Sequence, residues 1–319
     1  MSFSGDIKEE ISGKTGGKYH CQVAEIMAIL SMCGGICVSP QNRISLKMQT
    51  EYLFVARKYF TLLRKSFNIK VELSIRQHKG KRSTRQYCVC VNRHEDAVRI
   101  LRASGMLREN GTTYMDLADE EDLRNSRVLE RTCCKRAFIR GAFLVTGSVS
   151  DPVKDYHMEF ACSSESCAGQ IRAVLQDFQL EARIVQRKKY YVVYLKEGDG
   201  IVDALNIMEA HNALMKLENV RILKDMRNTL NRKVNCETAN ITKTVNAAYK
   251  QIEDIRYIRD TVGFEGLSEG LADAAQVRLD NPDVSLKELG LLLTPPVGKS
   301  GMNHRLRRLS ELADQLRNH

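Results

Sequence analysis

Apolar residues in this chain follow two periodicities, one typical of helices and one typical of strands, and their order repeats within the chain. The clearest segment spans 133–149, where alanine and aliphatic residues favour a short helix. Gly147 follows its last turn and suits a left-handed cap, which glycine adopts without a Cβ penalty. A shift of 113 positions lays this segment on residues 20–36. The identical pairs are Cys134 with Cys21, Ala137 with Ala24, Ile139 with Ile26, and Gly147 with Gly34.

Each copy carries two small residues four positions apart, Ala24 and Ala28 in the first and Ala137 and Gly141 in the second. Residues with this spacing share one helix face, and the distance between packed helices depends on the side chains in contact. We therefore expect two helices that cross at close range. The alternative is two unrelated amphipathic helices, but the shared register continues beyond both of them.

The same register extends through the strands and helices that follow. In the first copy, strands are predicted at 46–50, 69–77 and 86–92 and helices at 51–67 and about 94–105. In the second copy, the equivalent strands are 159–163, 182–187 and 190–196 and the equivalent helices are 164–180 and about 199–217. The last strand pair aligns only when the loop 77–85 of the first copy is removed. Each copy thus reads helix, two strands, helix, two strands, helix. Because half a sheet alone is marginal, the duplication indicates one pseudo-two-fold domain.

Helical periodicity returns near the end of the chain. A helix is predicted at 241–262, another at 267–280, and a short third one at 286–292 that Ser285 and Glu288 open with a capping box. The sequence Thr-Pro-Pro-Val-Gly at 294–298 predicts a turn before a last helix that begins near Ser300. Two short helices joined by such a turn favour a helix-turn-helix. The alternative is a small bundle for dimerisation.

These elements predict an α+β fold followed by an all-α domain. Polar residues without a period mark the stretch after the second copy as a linker, and an acidic stretch separates the copies. The predicted boundaries are an N-terminal extension at 1–19, the duplicated domain at 20–219 with copies at about 20–108 and 133–218 and a connection at 109–132, a linker at 220–240, and the helical domain at 241–319.

Charge favours an anionic partner, since the formal net charge is +10 and the pI is about 9.1. Between Arg64 and Arg108 there are twelve lysines and arginines against three acids. The predicted loop in this region is assigned to DNA phosphates through Lys79, Lys81, Arg82 and Arg85. A solvated loop is the alternative. A weaker basic set recurs in the second copy at Arg183, Arg187, Lys188 and Lys189.

The ten cysteines contain no CxxC pair, so neither a zinc site nor a disulfide is predicted. We interpret them as reduced thiols that act as small buried hydrophobes, with redox sensing by Cys133 and Cys134 as the alternative. No metal and no cofactor are predicted. The chain has no apolar run of membrane length, and its start does not read as a signal peptide. We therefore expect a soluble cytoplasmic protein without a membrane partner.

The duplicated helix motif reads Ile-Arg-Gly-Ala-Phe-Leu-Val-Thr-Gly at 139–147 and Ile-Met-Ala-Ile-Leu-Ser-Met-Cys-Gly at 26–34. With the unit that follows it, this motif resembles the LAGLIDADG homing endonucleases, whose two motif helices form a core and whose sheets straddle DNA as a saddle. The resemblance places the metal-binding acids of that family at Thr146 and Cys33. Neither residue offers the carboxylate that hard divalent cations need. We therefore expect no catalytic residue and no nuclease, although an active endonuclease is the enzyme alternative.

Four further segments, 133–143, 147–152, 231–240 and 299–308, together resemble the WhiA family of bacterial transcription regulators. The resemblance implies a degenerate LAGLIDADG-like saddle domain and a helix-turn-helix similar to region 4 of sigma factors. It also implies a cytoplasmic, nucleoid-associated regulator of sporulation or cell division that binds double-stranded DNA. A sigma factor or another regulator is a second candidate partner. A nucleoid-structuring protein that binds DNA without sequence preference is the architectural alternative.

The last helix is the candidate recognition helix. At about 100° per residue, Met302, Leu306, Leu309 and Ala313 share one face that should pack on the core. Recognition helices contact bases mainly with outward residues near their N-terminus, and arginine suits guanine as asparagine suits adenine. Residues assigned to base edges are Ser300, Asn303, His304 and Arg307. Residues assigned to phosphates are Lys299, Arg305 and Arg308.

Overall fold

The computed structural model of the chain describes residues 2–15, 17–78, 84–107 and 127–318. The chain divides into two compact units, Met1–Leu223 and Lys224–His319. The first unit combines helices with antiparallel sheets, and the described part of the second is entirely helical. The predicted α+β fold followed by a helical domain is therefore confirmed. Among the described helices, none is both long enough and apolar enough to span a membrane.

The first unit contains the two predicted copies. The first copy consists of helices α2 (Tyr19–Cys33), α3 (Leu53–Phe67) and α4 (His94–Ala103) and strands β1 (Gly34–Val38), β2 (Ile44–Thr50), β3 (Glu72–His78) and β4 (Thr84–Val91). The second consists of α5 (Thr132–Thr146), α6 (Glu165–Asp177) and α7 (Gly198–Ile207) with β5 (Gly147–Val149), β6 (Met158–Cys162), β7 (Arg183–Arg187) and β8 (Tyr190–Leu195). The antiparallel sheets have the equivalent orders β1-β2-β4-β3 and β5-β6-β8-β7, which confirms the duplication.

Helices α2 and α5 form the centre of this unit, and their bounds differ by the predicted 113 positions. Ala24, Ala28 and Ala137 are fully buried. A Cβ atom added to Gly141 would lie 3.0 Å from the Cβ of Ala28, so the two helices touch through the small residues that the sequence singled out. The close crossing is thereby confirmed.

The glycines that end these two helices have a different role from the predicted one. Gly34 has a φ of −87° and Gly147 a φ of −76°, so both are extended and neither forms a left-handed cap. Space is the reason for glycine at both positions. A Cβ atom would lie 2.5 Å from the carbonyl oxygen of Leu30 at the first position and 2.2 Å from the ring of Phe143 at the second. The predicted cap geometry is therefore wrong.

Residues 1–19 were predicted to form an extension, and one helix within them contributes to the core of the first unit. Helix α1 (Phe3–Ser12) buries Ile7 and Ile11 completely. The carboxylate of Glu10 accepts hydrogen bonds from the backbone N–H groups of Asn212 and Ala213, at 2.9 and 3.1 Å. It therefore satisfies donors that the start of a helix leaves free.

The helices near the end of the second copy differ from the predicted ones. The predicted helix 199–217 is interrupted after Ile207, and α8 (His211–Thr261) then continues without a break through the predicted linker 220–240. This stretch contains neither glycine nor proline, so nothing in the sequence ends the helix. Every side chain from 225 to 247 is exposed, which explains why the segment lacks an apolar period.

A buried group of charged side chains links three elements of the first unit. Glu25 in α2, Lys58 in α3 and Arg140 in α5 are all nearly inaccessible to solvent. The Glu25 Oε1 atom lies 3.1 Å from the Lys58 Nζ and 3.4 Å from the Arg140 Nε. Lys58 also donates to the main-chain oxygen of Ile11 at 3.1 Å, so α1 is part of this group. Arg140 Nη1 also lies 3.1 Å from the Oε2 of the partly exposed Glu209, so Glu25 is the buried carboxylate that the two cations share and Glu209 is a second partner of Arg140.

Candidate nucleic-acid interface

The second unit contains α9 (Glu269–Asp280), α10 (Leu286–Leu291) and α11 (Lys299–Arg317) after the last turns of α8. Ser285 and Glu288 form the predicted capping box. The backbone N–H of each residue donates a hydrogen bond to the side-chain oxygen of the other. The core consists of buried residues from all four helices and from the turn after α10: Ile255, Ile258, Ala274, Ala275, Leu289, Leu293, Met302, Leu306, Leu309 and Ala313. The predicted apolar face of the last helix is therefore confirmed.

The turn between α10 and α11 depends on one glycine. The backbone N–H of Val297 donates to the carbonyl oxygen of Gly290 at 2.9 Å, which folds the turn back over α10. A Cβ atom at position 290 would lie 2.2 Å from the carbonyl oxygen of Val297. Only glycine allows this approach of two backbone segments, and the approach sets where α11 begins.

Six of the seven residues that were assigned to DNA on α11 are exposed to solvent. They are Lys299, Ser300, Asn303, His304, Arg307 and Arg308. They lie within the first ten residues of the helix, and this part of α11 contains no acid. The arrangement matches the outward N-terminal half of a recognition helix. Their individual contacts with bases or phosphates stay predictions.

Arg305, the seventh residue, has a structural contact that the sequence did not indicate. Its side chain is partly buried, and Nη1 donates to the main-chain oxygen of Gly270 at 3.1 Å. The guanidinium therefore ties α11 to the first turn of α9. Its assignment to a phosphate stays a prediction.

Arg307 is exposed and forms an ion pair on the outer face of α11. Its Nε lies 3.1 Å from the Oε1 of Glu311, one turn later on α11. The side chain is 77% exposed, so the ion pair itself adds little stability. It does hold the guanidinium along the outer face of the helix.

The motif positions at the ends of α2 and α5 contain no carboxylate. The Cys33 thiol donates to the main-chain oxygen of Ile29 at 3.2 Å, and the Thr146 hydroxyl donates to that of Ala142 at 2.9 Å. Burial raises the pKa of the Cys33 thiol to about 12. Both groups are thus engaged within their own helices and offer a divalent cation no anionic oxygen.

The predicted basic loop is only partly described. Lys79, Lys81 and Arg82 lie outside the described residues, whereas Arg85 is an exposed residue of β4 that pairs with Gln77 of β3. The two strands form the predicted hairpin at the edge of the first sheet. In the second copy, Arg187 is exposed and lies 3.6 Å from the carboxylate of Glu159. The contacts of both basic groups with DNA stay predictions.

Sequence reasoning missed a cluster at the opposite ends of the two central helices. Four side chains that could bind a metal, those of His20, Cys21, Cys133 and Cys134, have ligand atoms within 4.8 Å of one another. The interpretation of the cysteines as buried thiols is wrong for Cys37, Cys133 and Cys236, which are exposed. The signal was present, because the 113-residue shift lays His20 on Cys133 and Cys21 on Cys134.

Family models match three segments that together cover most of the chain. Residues 19–107 match the WhiA N-terminal LAGLIDADG-like domain, residues 135–227 match the WhiA LAGLIDADG-like domain, and residues 230–313 match the WhiA C-terminal HTH domain.

Full-length relatives agree with these matches. The probable cell division protein WhiA of Lachnoclostridium phytofermentans is 50% identical over 317 residues, which are 99% of this chain and 100% of the relative. The protein of the same description from Alkaliphilus oremlandii is 46% identical, with 99% and 98% covered. The crystal structure of full-length DUF199/WhiA from Thermatoga maritima has a TM-score of 0.59 at 24% identity and covers 99% of both chains, which supports the same fold.

Proposed function

The chain belongs to the WhiA family, and on that premise we propose that it is a sequence-specific DNA-binding regulator of transcription that acts in cell division or sporulation. The observation that carries this proposal is the outer face of α11. Exposed basic and amide side chains fill its first ten residues, the first acid follows only at Glu311, and the opposite face is fixed in a core. The curated relatives are named probable cell division proteins, which supports the process.

Double-stranded DNA is the partner that fits this face. The major groove admits a helix, and side chains near its N-terminus contact the base edges. Arg307 suits guanine because its two terminal nitrogens can form paired hydrogen bonds while Nε stays with Glu311. Asn303 suits adenine in the same way. Lys299, at the start of the helix, suits a phosphate, which also gains from the free backbone N–H groups there.

The first test is whether binding is specific. Genome-wide immunoprecipitation of the full-length protein should give discrete peaks, and a shared sequence within them gives the preferred site. Even coverage of the chromosome would support a nucleoid-structuring protein instead and would contradict the proposal.

The second test assigns roles within α11. Arg307→Ala should weaken binding to the preferred site by roughly 1–3 kcal/mol and relax the preference at one base pair. Lys299→Ala should weaken binding to preferred and scrambled DNA alike, because phosphate contacts carry no sequence information. Fluorescence anisotropy with both DNAs measures this. If Arg307→Ala reduced both affinities equally, α11 would act only through its charge.

We also propose that the protein does not cleave DNA. Cys33 and Thr146 lack the carboxylates that would hold a divalent cation against the scissile phosphate, which supports this view. Purified protein with Mg²⁺ or Mn²⁺ should leave DNA that contains the preferred site intact. Asp151 is an acid just beyond the end of α5. Metal-dependent cleavage at a defined position that Asp151→Asn abolishes would establish an endonuclease. A sigma factor as partner stays a prediction from the family resemblance, and its test is co-purification with RNA polymerase.

A further inference from the structure

The cluster at the N-terminal ends of the two central helices lies outside every element of the proposed DNA interface. His20 and Cys21 belong to the first turn of α2, and Cys133 and Cys134 belong to the first turn of α5. Each copy therefore contributes two adjacent residues at equivalent positions. The close crossing of α2 and α5 brings together two dipeptides that lie far apart in the sequence.

The four ligand atoms lie close to one another. The Nδ1 atom of His20 lies 3.1 Å from the sulfur of Cys134, 3.3 Å from that of Cys21 and 3.9 Å from that of Cys133. All four atoms lie within 4.8 Å of one another. In a tetrahedral zinc site, a Zn–N bond of about 2.1 Å and Zn–S bonds of about 2.3 Å place the nitrogen about 3.6 Å from each sulfur atom. The observed spacing thus fits four ligands around one ion after small side-chain adjustments.

The His20 ring is oriented toward the three sulfurs. Its other nitrogen, Nε2, is buried and has no hydrogen-bond partner among the described residues. The ring therefore gives up a hydrogen bond on one side while it directs Nδ1 into the cluster. A neutral imidazole with its proton on Nε2 presents a free lone pair at Nδ1, which is the form that binds a metal.

The surroundings suit an anionic complex. Three thiolates and one neutral imidazole around Zn²⁺ carry a net charge of −1. The first turns of α2 and α5 contain no acid, and the positive ends of both helix dipoles lie beside the cluster.

We propose that His20, Cys21, Cys133 and Cys134 bind one Zn²⁺ ion as a closed structural site that joins the two copies. Binding releases one proton from each of the three thiols to solvent and involves no change in oxidation state. Thiolate and imidazole ligands select zinc over the hard cations Mg²⁺ and Ca²⁺. Four protein ligands leave no open position, so the ion would be structural and not catalytic.

The consequence is a cross-link at one end of the α2–α5 pair. A ligand that binds only the folded state stabilises it, so zinc should raise the thermal midpoint of the first unit. The nuclease positions Cys33 and Thr146 lie at the other end of the same helices. The site is therefore independent of the lost catalytic centre.

Metal analysis of the full-length protein tests the proposal. The protein is purified with a tag that contains no histidine, reduced, and reconstituted with Zn²⁺ before removal of the excess. We expect stoichiometric zinc in the wild type and in Cys236→Ser, whose exposed cysteine lies on α8. Cys133→Ser should retain less than about a tenth of the wild-type zinc. Loss of a residue that only hydrogen-bonds to a metal ligand already weakens metal affinity about 10–100-fold, and Cys133 is itself a proposed ligand. Cys133 is exposed, so this variant should fold, and circular dichroism checks that it does.

Two further measurements separate a built site from adventitious thiol binding. Zinc should raise the thermal midpoint of the wild type and Cys236→Ser but not that of Cys133→Ser. Cys133 should resist alkylation until a chelator is added, whereas the exposed Cys37 should react at once. Equal zinc in wild type and Cys133→Ser would overturn the proposal. Failure of the fully reduced protein to take up zinc would also overturn it. This holds even if the protein was first isolated with a disulfide among these cysteines.

Discussion

Gly141 of α5 lies so close to Glu25 of α2 that a Cβ atom at position 141 would be 2.8 Å from the main-chain oxygen of Glu25. This oxygen belongs to a helix backbone and cannot move away alone. Gly141→Ala should therefore force α2 and α5 apart and destabilise the protein by about 1–3 kcal/mol, as overpacking of a core does. Chemical denaturation of the first unit, followed by circular dichroism, measures the change.

Gly200→Ala is the matched control, because Gly200 is also in a helix but nothing lies within 4 Å of an added Cβ. Alanine there should be neutral or stabilise by up to about 1 kcal/mol. If both substitutions had the same effect, the close helix crossing would not be the reason for glycine at position 141.

The buried charges predict a second effect on stability. Glu25→Gln removes the carboxylate that Lys58 and Arg140 share, so Lys58 loses its carboxylate partner, whereas Arg140 keeps the partly exposed Glu209 at 3.1 Å. Loss of one partner of a buried ion pair costs about 3–5 kcal/mol. Thermal and chemical unfolding should both show this loss.

The surface pair of Lys135 and Asp177 is the control for that measurement. Asp177 is about half exposed, so Asp177→Asn should change stability by less than about 1 kcal/mol. A similarly small effect of Glu25→Gln would mean that Lys58 is neutral in the folded protein.

The sequence predicted the parts of the fold that repeat or have a strong local signal. The shift that pairs Ala137 with Ala24 identified the central helices, and through them the succession of helices and strands along each copy. Ser285 and Glu288 identified the start of α10, because a capping box is a local interaction.

Features that depend on contacts between distant segments were missed. Glu10 of α1 binds the backbone at the start of α8, about two hundred positions later in the sequence. No periodicity reports such a contact. The cluster around His20 was missed for the same reason, because sequence patterns for metal sites look for ligands a few residues apart. The continuous helix α8 was missed because its exposed middle needs no apolar face.

The basic hairpin predicts a salt dependence. If Lys79, Lys81, Arg82 and Arg85 neutralise phosphates, their joint replacement by serine should weaken binding to every DNA about equally. Each lost contact should also flatten the plot of log affinity against log salt by about one unit. Titrations at several salt concentrations give the slope.

A variant with the same loss of charge provides the comparison. Arg227, Arg232, Lys233 and Lys243 are exposed on α8, outside both proposed DNA sites. Their replacement should leave the slope nearly unchanged. An unchanged slope in the hairpin variant would show that the hairpin is only solvated.

The turn before α11 predicts how DNA binding fails when the recognition helix is misplaced. In Gly290→Ala the new Cβ would meet the carbonyl oxygen of Val297 at 2.2 Å, so the turn must open and lose the hydrogen bond from the Val297 N–H. We expect amides of α11 to exchange faster with solvent and DNA affinity to fall, while the first unit keeps its exchange protection. Gly301→Ala, where an added Cβ lies at an ordinary 3.5 Å from the Val297 side chain, should retain the slow exchange of α11. Because Gly290 is not among the residues assigned to DNA, loss of binding in the first variant with unchanged amide exchange would contradict this account of the turn.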